Sequence, residues 1–164
     1  TGRGPCTAGA IIAGAQKIDQ ETIGNFGEAM AIAFQIRDDL LNLQTPEKDA
    51  SVAPGITSGA YGKERGGDIA EGKRTLIIID LLRKCSSEEK HDVLNILHKS
   101  RQENTVEEIE RVISLVQNYG CSEYAEKVCL EKAKVSRDFL LKLPKSSARN
   151  ALAEMLEFLV ERAF

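Results

Sequence analysis

Residues 21–43 read ETIGNFGEAMAIAFQIRDDLLNL. Apolar side chains cover most of the circumference when this stretch is placed on a 3.6-residue helix: Met30, Ile32, Phe34, Ile36, Leu40 and Leu41. The pattern predicts a long helix, Glu21–Leu43, that lies deep in a bundle. The rest of the chain also shows helical patterns and no convincing strand, so we expect an all-α helical bundle.

The remaining sequence predicts six further helices, about seven in total. In chain order they are Pro5–Lys17, Thr75–Arg83, one that starts with a capping box of Ser86 and Glu89, one that starts with Thr105 and Glu108 and ends near Gly120, Ser122–Leu143, and a last one capped by Ser146 or Ser147. Between them, Leu43–Gly72 contains two prolines and six of the thirteen glycines and predicts a long loop. The length of 164 residues favours a single domain, 1–164.

The composition excludes several classes of protein. A net charge of −3 gives no indication of nucleic-acid binding, and no apolar run is long enough to span a bilayer. The four cysteines form no CxxC pair and are read as small apolar residues in a reducing compartment, which predicts a cytoplasmic protein.

The first candidate site lies at the end of the 21–43 helix. Gln35, Asp38, Asp39 and Asn42 fall within an arc of about 100° on a helix, so four oxygen-bearing side chains share one face. Paired carboxylates suit Mg²⁺, because this ion keeps several water ligands and substrate phosphates commonly complete its coordination shell. Adjacent acids at a helix C-terminus also oppose the helix dipole, a local conflict found at functional sites. The alternative interpretation of the acid pair alone is a solvated helix end.

The second candidate site is the glycine-rich basic segment from Gly62 to Thr75. Its glycines permit backbone N–H groups to approach an anion at the start of the next helix, and Lys63 and Lys73 add positive charge for phosphate oxygens. The Walker A spacing is absent. The alternative interpretation is a flexible, solvated loop.

Together the two motifs resemble those of the trans-prenyl diphosphate synthases, the polyprenyl synthetase family. Residues 34–42, FQIRDDLLN, are similar to the second aspartate-rich motif of the family, Phe-Gln-x-x-Asp-Asp-x-x-Asp, with Asn42 in place of the last acid. Residues 62–75, GKERGGDIAEGKRT, resemble the downstream Gly-Lys…Gly-x-Asp…Glu-Gly-Lys-x-Thr signature. The first Asp-Asp-x-x-Asp motif, which in the family lies in the N-terminal half, is absent. The resemblance therefore implies the C-terminal half of the isoprenoid synthase fold.

The resemblance also implies a reaction and a role for each matching residue. An allylic diphosphate ionises, isopentenyl diphosphate attacks the resulting allylic cation head-to-tail, and a proton is lost. The implied metal-binding residues are Asp38, Asp39 and Asp68, with Mg²⁺ as cofactor. The implied substrate-binding residues are Gln35, Lys63 and Lys73, and the implied catalytic set is Gln35, Asp38, Asp39 and Lys63.

Three functions remain open at this point. The leading hypothesis is a prenyltransferase of isoprenoid biosynthesis, present as an incomplete fragment that is inactive alone. The others are a non-catalytic regulatory subunit of the same fold and a plain helical interaction domain. The partners expected for the first are the two diphosphates, with no nucleic acid and no membrane span. Truncation would uncover apolar faces on Pro5–Lys17 and Glu21–Leu43, so we also expect a homo-oligomer or pairing with a missing N-terminal half.

Overall fold

A computed structural model describes residues 2–44 and 65–161. Across those ranges the chain forms eight α-helices and no strand, which confirms the all-α prediction. The helices are α1 (Arg3–Ile12), α2 (Lys17–Asn42), α3 (Gly67–Ala70), α4 (Leu76–Lys84), α5 (Ser87–His98), α6 (Val106–Asn118), α7 (Cys121–Leu140) and α8 (Ser147–Glu161).

The described residues divide into two compact units. The first comprises 2–37 and 126–161, and the second comprises 38–44 and 65–125. In the second unit the short α3 packs against α5 and α6, α4 packs against α6, and α5 packs against α6. The expectation of a single domain over 1–164 stays a prediction.

The predicted helix limits are partly wrong. The first helix ends at Ile12 rather than Lys17, because Gly14 turns the chain with a φ of +69°, and α2 already begins at Lys17. Helix α7 ends at Leu140 instead of Leu143, and α3 lies within the region predicted as loop. Helix α2 is also less deeply buried than predicted: Phe26, Ala33 and Leu40 lie on a buried stripe, whereas Ile32 is 39% exposed.

The two capping boxes are confirmed. The Ser86 side chain accepts from the N–H of Glu89, whose carboxylate accepts from the N–H of Ser86. Thr105 and Glu108 make the same reciprocal pair at the start of α6. Hydrogen bonding to Ser86 and Tyr119 lowers the pKa of Glu89 below its ordinary value, with Tyr119 as the larger cause.

Helices α1 and α2 of the first unit approach closely through glycines. A Cβ atom on Gly27 would lie 2.5 Å from Cys6 Sγ and 2.6 Å from the carbonyl oxygen of Gly2. Similarly, a Cβ on Gly24 would lie 2.6 Å from Thr7 Oγ1. Helix α7 contributes two further contacts to α2, from Cys129 Sγ to the carbonyl of Ala33 and from Ser136 Oγ to that of Phe26. The glycines therefore set the spacing of α1 and α2.

We expect Gly27→Ala to destabilise the chain by about 1–2 kcal/mol, because the overpacking at Cys6 and Gly2 exceeds the gain in helix propensity. Gly9→Ala, in α1, meets no atom within 4 Å and should stabilise by about 0.5–1 kcal/mol. Urea unfolding of the two variants measures both effects. Equal behaviour would show that the close approach of α1 and α2 does not limit packing.

The first unit exposes apolar side chains, two of them within the predicted region Pro5–Lys17 and one, Ile18, between the two regions predicted to have apolar faces. Ile11 and Ile12 of α1 are 56% and 87% exposed, and Ile18 of α2 is 64% exposed.

All four cysteines are free thiols, of which Cys121 and Cys129 are buried. Among the described residues, no helix combines the length and apolarity needed to cross a membrane.

Candidate functional site

Asn42, at the end of α2, joins the two sequence motifs. Its backbone carbonyl accepts from the N–H of Gly66 at 2.8 Å, and its side-chain Oδ1 accepts from the N–H of Asp68 at 3.0 Å. Asn42 and Asp68 are 5% and 8% exposed, so the second bond is shielded from water. The acidic helix end and the glycine-rich segment therefore meet within the second unit.

Gly66 permits this junction because its backbone adopts a left-handed conformation. It is the residue before α3, with a φ of +72°, and a Cβ there would lie 2.4 Å from Ile109 Cγ2 of α6. A residue with a side chain is strained in this conformation and also has no space here. Gly66 thus positions α3, which carries Asp68.

Four side chains of alternating charge extend from Asp68. Lys73 Nζ lies 2.6 Å from Asp68 Oδ1 and 2.9 Å from Glu71 Oε2. The other oxygen of Glu71, Oε1, lies 2.6 Å from Arg101 NH1. We call Arg101, Glu71, Lys73 and Asp68 the charge relay. Its formal charges cancel.

The relay fixes the protonation of its exposed members. Hydrogen bonds to Asp68 first and Glu71 second raise the pKa of Lys73 above its ordinary value. Hydrogen bonding and charge from Lys73, with a smaller contribution from Arg101, lower the pKa of Glu71. Lys73 is therefore an ammonium and Glu71 a carboxylate at neutral pH.

Two side chains, Arg65 and Asn104, hold the surrounding backbone in place. Arg65 Nε donates to the carbonyl of Leu43 at 3.0 Å, and its guanidinium also pairs with Glu110 of α6. Asn104 Nδ2 donates to the carbonyl of Ala70 at 3.2 Å. Consequently Arg65 links the residue after α2 to α6, and Asn104 links the last residue of α3 to the turn before α6.

The predicted metal-binding residues carry carboxylate oxygens, the ligand type that magnesium prefers. Asp38 is half-buried and Asp39 is buried, 9% exposed, and Asp68 presents a third carboxylate whose Oδ1 is held by Lys73. Within 2–44 and 65–161, no three His, Cys, Asp or Glu side chains are grouped to hold a metal by themselves. Mg²⁺ is usually bound through one or two carboxylates, with water and substrate phosphate completing its six positions. The chemistry of the donors therefore suits that mode and not a closed protein cage.

The predicted site residues that the structure describes lie in both units. Asp38, Asp39, Asp68 and Lys73 belong to the second unit, and Asp68 and Lys73 are in direct contact. Gln35 belongs to the first unit and is exposed. Lys63, and with it the predicted convergence of Lys63 and Asp38, lies outside the described residues.

Three residues have contacts at the site that the sequence did not predict. Asn42 was expected only to stand in place of the last acid of the motif, and its Oδ1 accepts from the Asp68 backbone. Glu71 is two residues from Lys73, and this local spacing of opposite charges was a usable signal. Arg101 is 30 residues from Glu71 along the chain, so no local pattern indicates their contact.

Comparisons with known proteins agree with these motifs. The Polyprenyl synthetase family profile matches residues 1–116. A short chain isoprenyl diphosphate synthase from Methanothermobacter thermautotrophicus is 32% identical over 155 residues, which cover 94% of this chain and 43% of that protein. A geranylgeranyl diphosphate synthase from Sulfolobus acidocaldarius is 32% identical over 156 residues, again 94% of this chain and 43% of that protein.

Solved structures extend the likeness to the fold. The geranylgeranyl pyrophosphate synthetase from Pyrococcus horikoshii superposes with a TM-score of 0.79 at 30% identity, over 99% of this chain and 45% of that one. The chain thus spans less than half the length of the relatives it matches.

Proposed function

The chain belongs to the polyprenyl synthetase family, and on that premise we propose that it supplies metal and diphosphate binding to a head-to-tail prenyltransferase. The substrates are isopentenyl diphosphate and an allylic diphosphate. The observation that carries the proposal is the junction at Asn42, because it joins the acidic helix end to the segment with Asp68 and Lys73. If the first motif were only a solvated helix end and the second only a free loop, hydrogen bonds between them would not be expected.

The proposed roles follow the chemistry of each side chain. Asp38, Asp39 and Asp68 are the proposed magnesium-binding residues, since carboxylate oxygens are the ligands that this ion prefers. When bound, the ion neutralises negative charge that develops on the departing diphosphate. Lys63 and Lys73 are the proposed diphosphate-binding cations. Gln35 is proposed to face the reacting carbons on the strength of its motif alone.

We propose that these 164 residues do not catalyse elongation by themselves. The family motif expected to form the opposing acidic cluster is absent from the sequence, so half of the proposed metal binding is missing. The exposed isoleucines of α1 and α2 support assembly with a second copy or with another part of the enzyme. The cytoplasmic location also stays a prediction.

Binding of an allylic diphosphate tests the proposal directly. We expect the chain to bind dimethylallyl diphosphate in the presence of Mg²⁺, and Asp38→Ala to weaken that binding about tenfold or more, because a charge-assisted contact contributes about 1.5–3 kcal/mol. Isothermal titration with and without EDTA measures the affinities. Asp138→Ala, which removes an exposed carboxylate from α7, is the matched control and should bind normally.

Two results would contradict the proposal. Absence of Mg²⁺-dependent binding in the unmodified chain would favour a plain interaction domain. An equal loss in Asp38→Ala and Asp138→Ala would mean that general charge, and not the acidic helix end, governs binding. An elongation assay on the same material tests the separate prediction that the chain alone is inactive.

A further inference from the structure

Arg101 is the member of the charge relay that no motif predicts. It is exposed in the turn between α5 and α6, and its NH1 contacts Glu71 Oε1 while Lys73 contacts Glu71 Oε2. We infer that Arg101 is a positioning residue: it shares the Glu71 carboxylate with Lys73 and thereby keeps Lys73 on Asp68 and available to a metal-bound diphosphate. The inference rests on the proposed function, because it concerns the same diphosphate.

The division of Glu71 between two cations is the physical basis. A carboxylate that meets one ammonium alone can approach it with both oxygens, whereas a second cation on Oε1 leaves only Oε2 for Lys73. Arg101 therefore limits the hold of Glu71 on Lys73. Without Arg101, Glu71 turns fully to Lys73 and withdraws it from Asp68 and from any phosphate nearby.

The turn that carries Arg101 is itself fixed in place. Glu103 accepts from the N–H and the hydroxyl of Ser100 at 2.8 and 2.7 Å, which closes the turn around Arg101. Asn104, in the same turn, donates to the carbonyl of Ala70, the residue before Glu71. Because Asn104 bonds this turn to the last residue of α3, the backbone as well as the ion pair holds the Arg101 guanidinium beside Glu71.

The inference predicts that two single substitutions change the diphosphate affinity in opposite directions. In Arg101→Gln, diphosphate binding at fixed Mg²⁺ should weaken about threefold to fivefold, the range of one exposed ion pair. In Glu71→Gln, Lys73 is released and binding should strengthen by a similar factor. Both side chains are substantially exposed, 46% and 40%, so neither substitution should change the thermal unfolding temperature much.

The double variant separates positioning from simple attraction between charges. If Arg101 acts through Glu71, then adding Arg101→Gln to Glu71→Gln changes the affinity no further. If Arg101 attracts the anion directly, the same threefold to fivefold loss persists in the double variant. Arg111→Gln is the matched control: Arg111 NH2 pairs with Asp92 Oδ2 at 2.5 Å, an exposed pair of the same type in the same unit but outside the relay.

Titration of the full 164-residue chain with inorganic diphosphate and Mg²⁺, followed by NMR, is the experiment. A ligand-free signature accompanies it: the Lys73 side-chain ammonium resonance, assigned with Lys73→Arg, should shift in Arg101→Gln and stay unchanged in Arg111→Gln. The inference is supported by opposite single effects with no added loss in the double variant. It is overturned by a persistent loss in the double variant, by an unmoved Lys73 resonance, or by absence of diphosphate binding. The Lys73 resonance is read without ligand, so an unmoved resonance in a chain that binds diphosphate rejects the inference alone, whereas absence of diphosphate binding rejects the proposed function as well.

Discussion

Replacement of Gly72 by alanine is expected to destabilise the chain by about 2–5 kcal/mol. Gly72 has a φ of +68°, and a Cβ there would lie 2.4 Å from the carbonyl oxygen of Leu97 at the end of α5. The left-handed conformation alone costs a residue with a side chain about 1–2 kcal/mol. The clash with Leu97 adds about 1–3 kcal/mol, since it involves backbone that cannot rotate away.

The same substitution should disturb the site, because Gly72 stands between Glu71 and Lys73. Any shift that relieves the contact with Leu97 moves the backbone from which both relay side chains extend. Urea unfolding measures the loss of stability, and the Lys73 ammonium resonance reports the local change. We expect both to respond.

Gly120→Ala provides the matched control within the second unit. Gly120 has nearly the same left-handed backbone, with a φ of +62°, but its nearest heavy atom would be Glu123 Oε2 at 3.7 Å. Only the conformational term of about 1–2 kcal/mol is then expected. If the two variants lose equal stability, the Leu97 contact contributes nothing and the packing of this segment on α5 is looser than described.

Features encoded by neighbouring residues were predictable from the sequence. The capping boxes at Ser86 and Thr105 each need only a side chain three residues away, so their pattern is complete in four letters. The family motifs are similarly compact. Helix class, most helix starts and the two candidate segments therefore followed from local patterns.

Features that depend on distant partners were not predictable. Gly66 has to be glycine because Ile109 lies behind it, 43 positions later, and Glu71 is held by Arg101 from a separate turn. The long loop prediction missed α3 for the same reason: four residues form a helix there because Asn42, α5 and α6 surround them. An isolated helix of that length is unstable in water.

Asn42 shows how such a distant partner changes the interpretation of a motif position. The sequence compares it with the last aspartate of the family motif and places it on the same helix face as the acid pair. In the structure its side-chain oxygen accepts from the buried N–H of Asp68, so the residue fastens α2 to α3. Either an amide or a carboxylate oxygen can accept such a bond, so an aspartate at position 42 would also suit this junction.

Asn42→Ala is accordingly expected to destabilise the chain by about 2–3 kcal/mol. It removes the acceptor of a shielded backbone N–H, and a buried donor left without a partner costs about 1–3 kcal/mol, to which the lost side-chain volume adds. Asn42→Asp keeps an acceptor and should retain most of the stability at neutral pH. Asn95→Ala, at an exposed position of α5, is the control and should stay within about 0.5 kcal/mol.

The ligand response of these variants distinguishes a fastening role from a metal-binding role. If Asn42 fastens Asp68, then Asn42→Ala weakens Mg²⁺-dependent diphosphate binding together with stability, and Asn42→Asp preserves both. If Asn42 is instead a metal ligand, Asn42→Asp should tighten binding markedly, since a carboxylate binds Mg²⁺ more strongly than an amide. A large gain in affinity for Asn42→Asp with unchanged stability in Asn42→Ala would therefore indicate a metal-binding role, because the Asp68 N–H would then have no need of its acceptor.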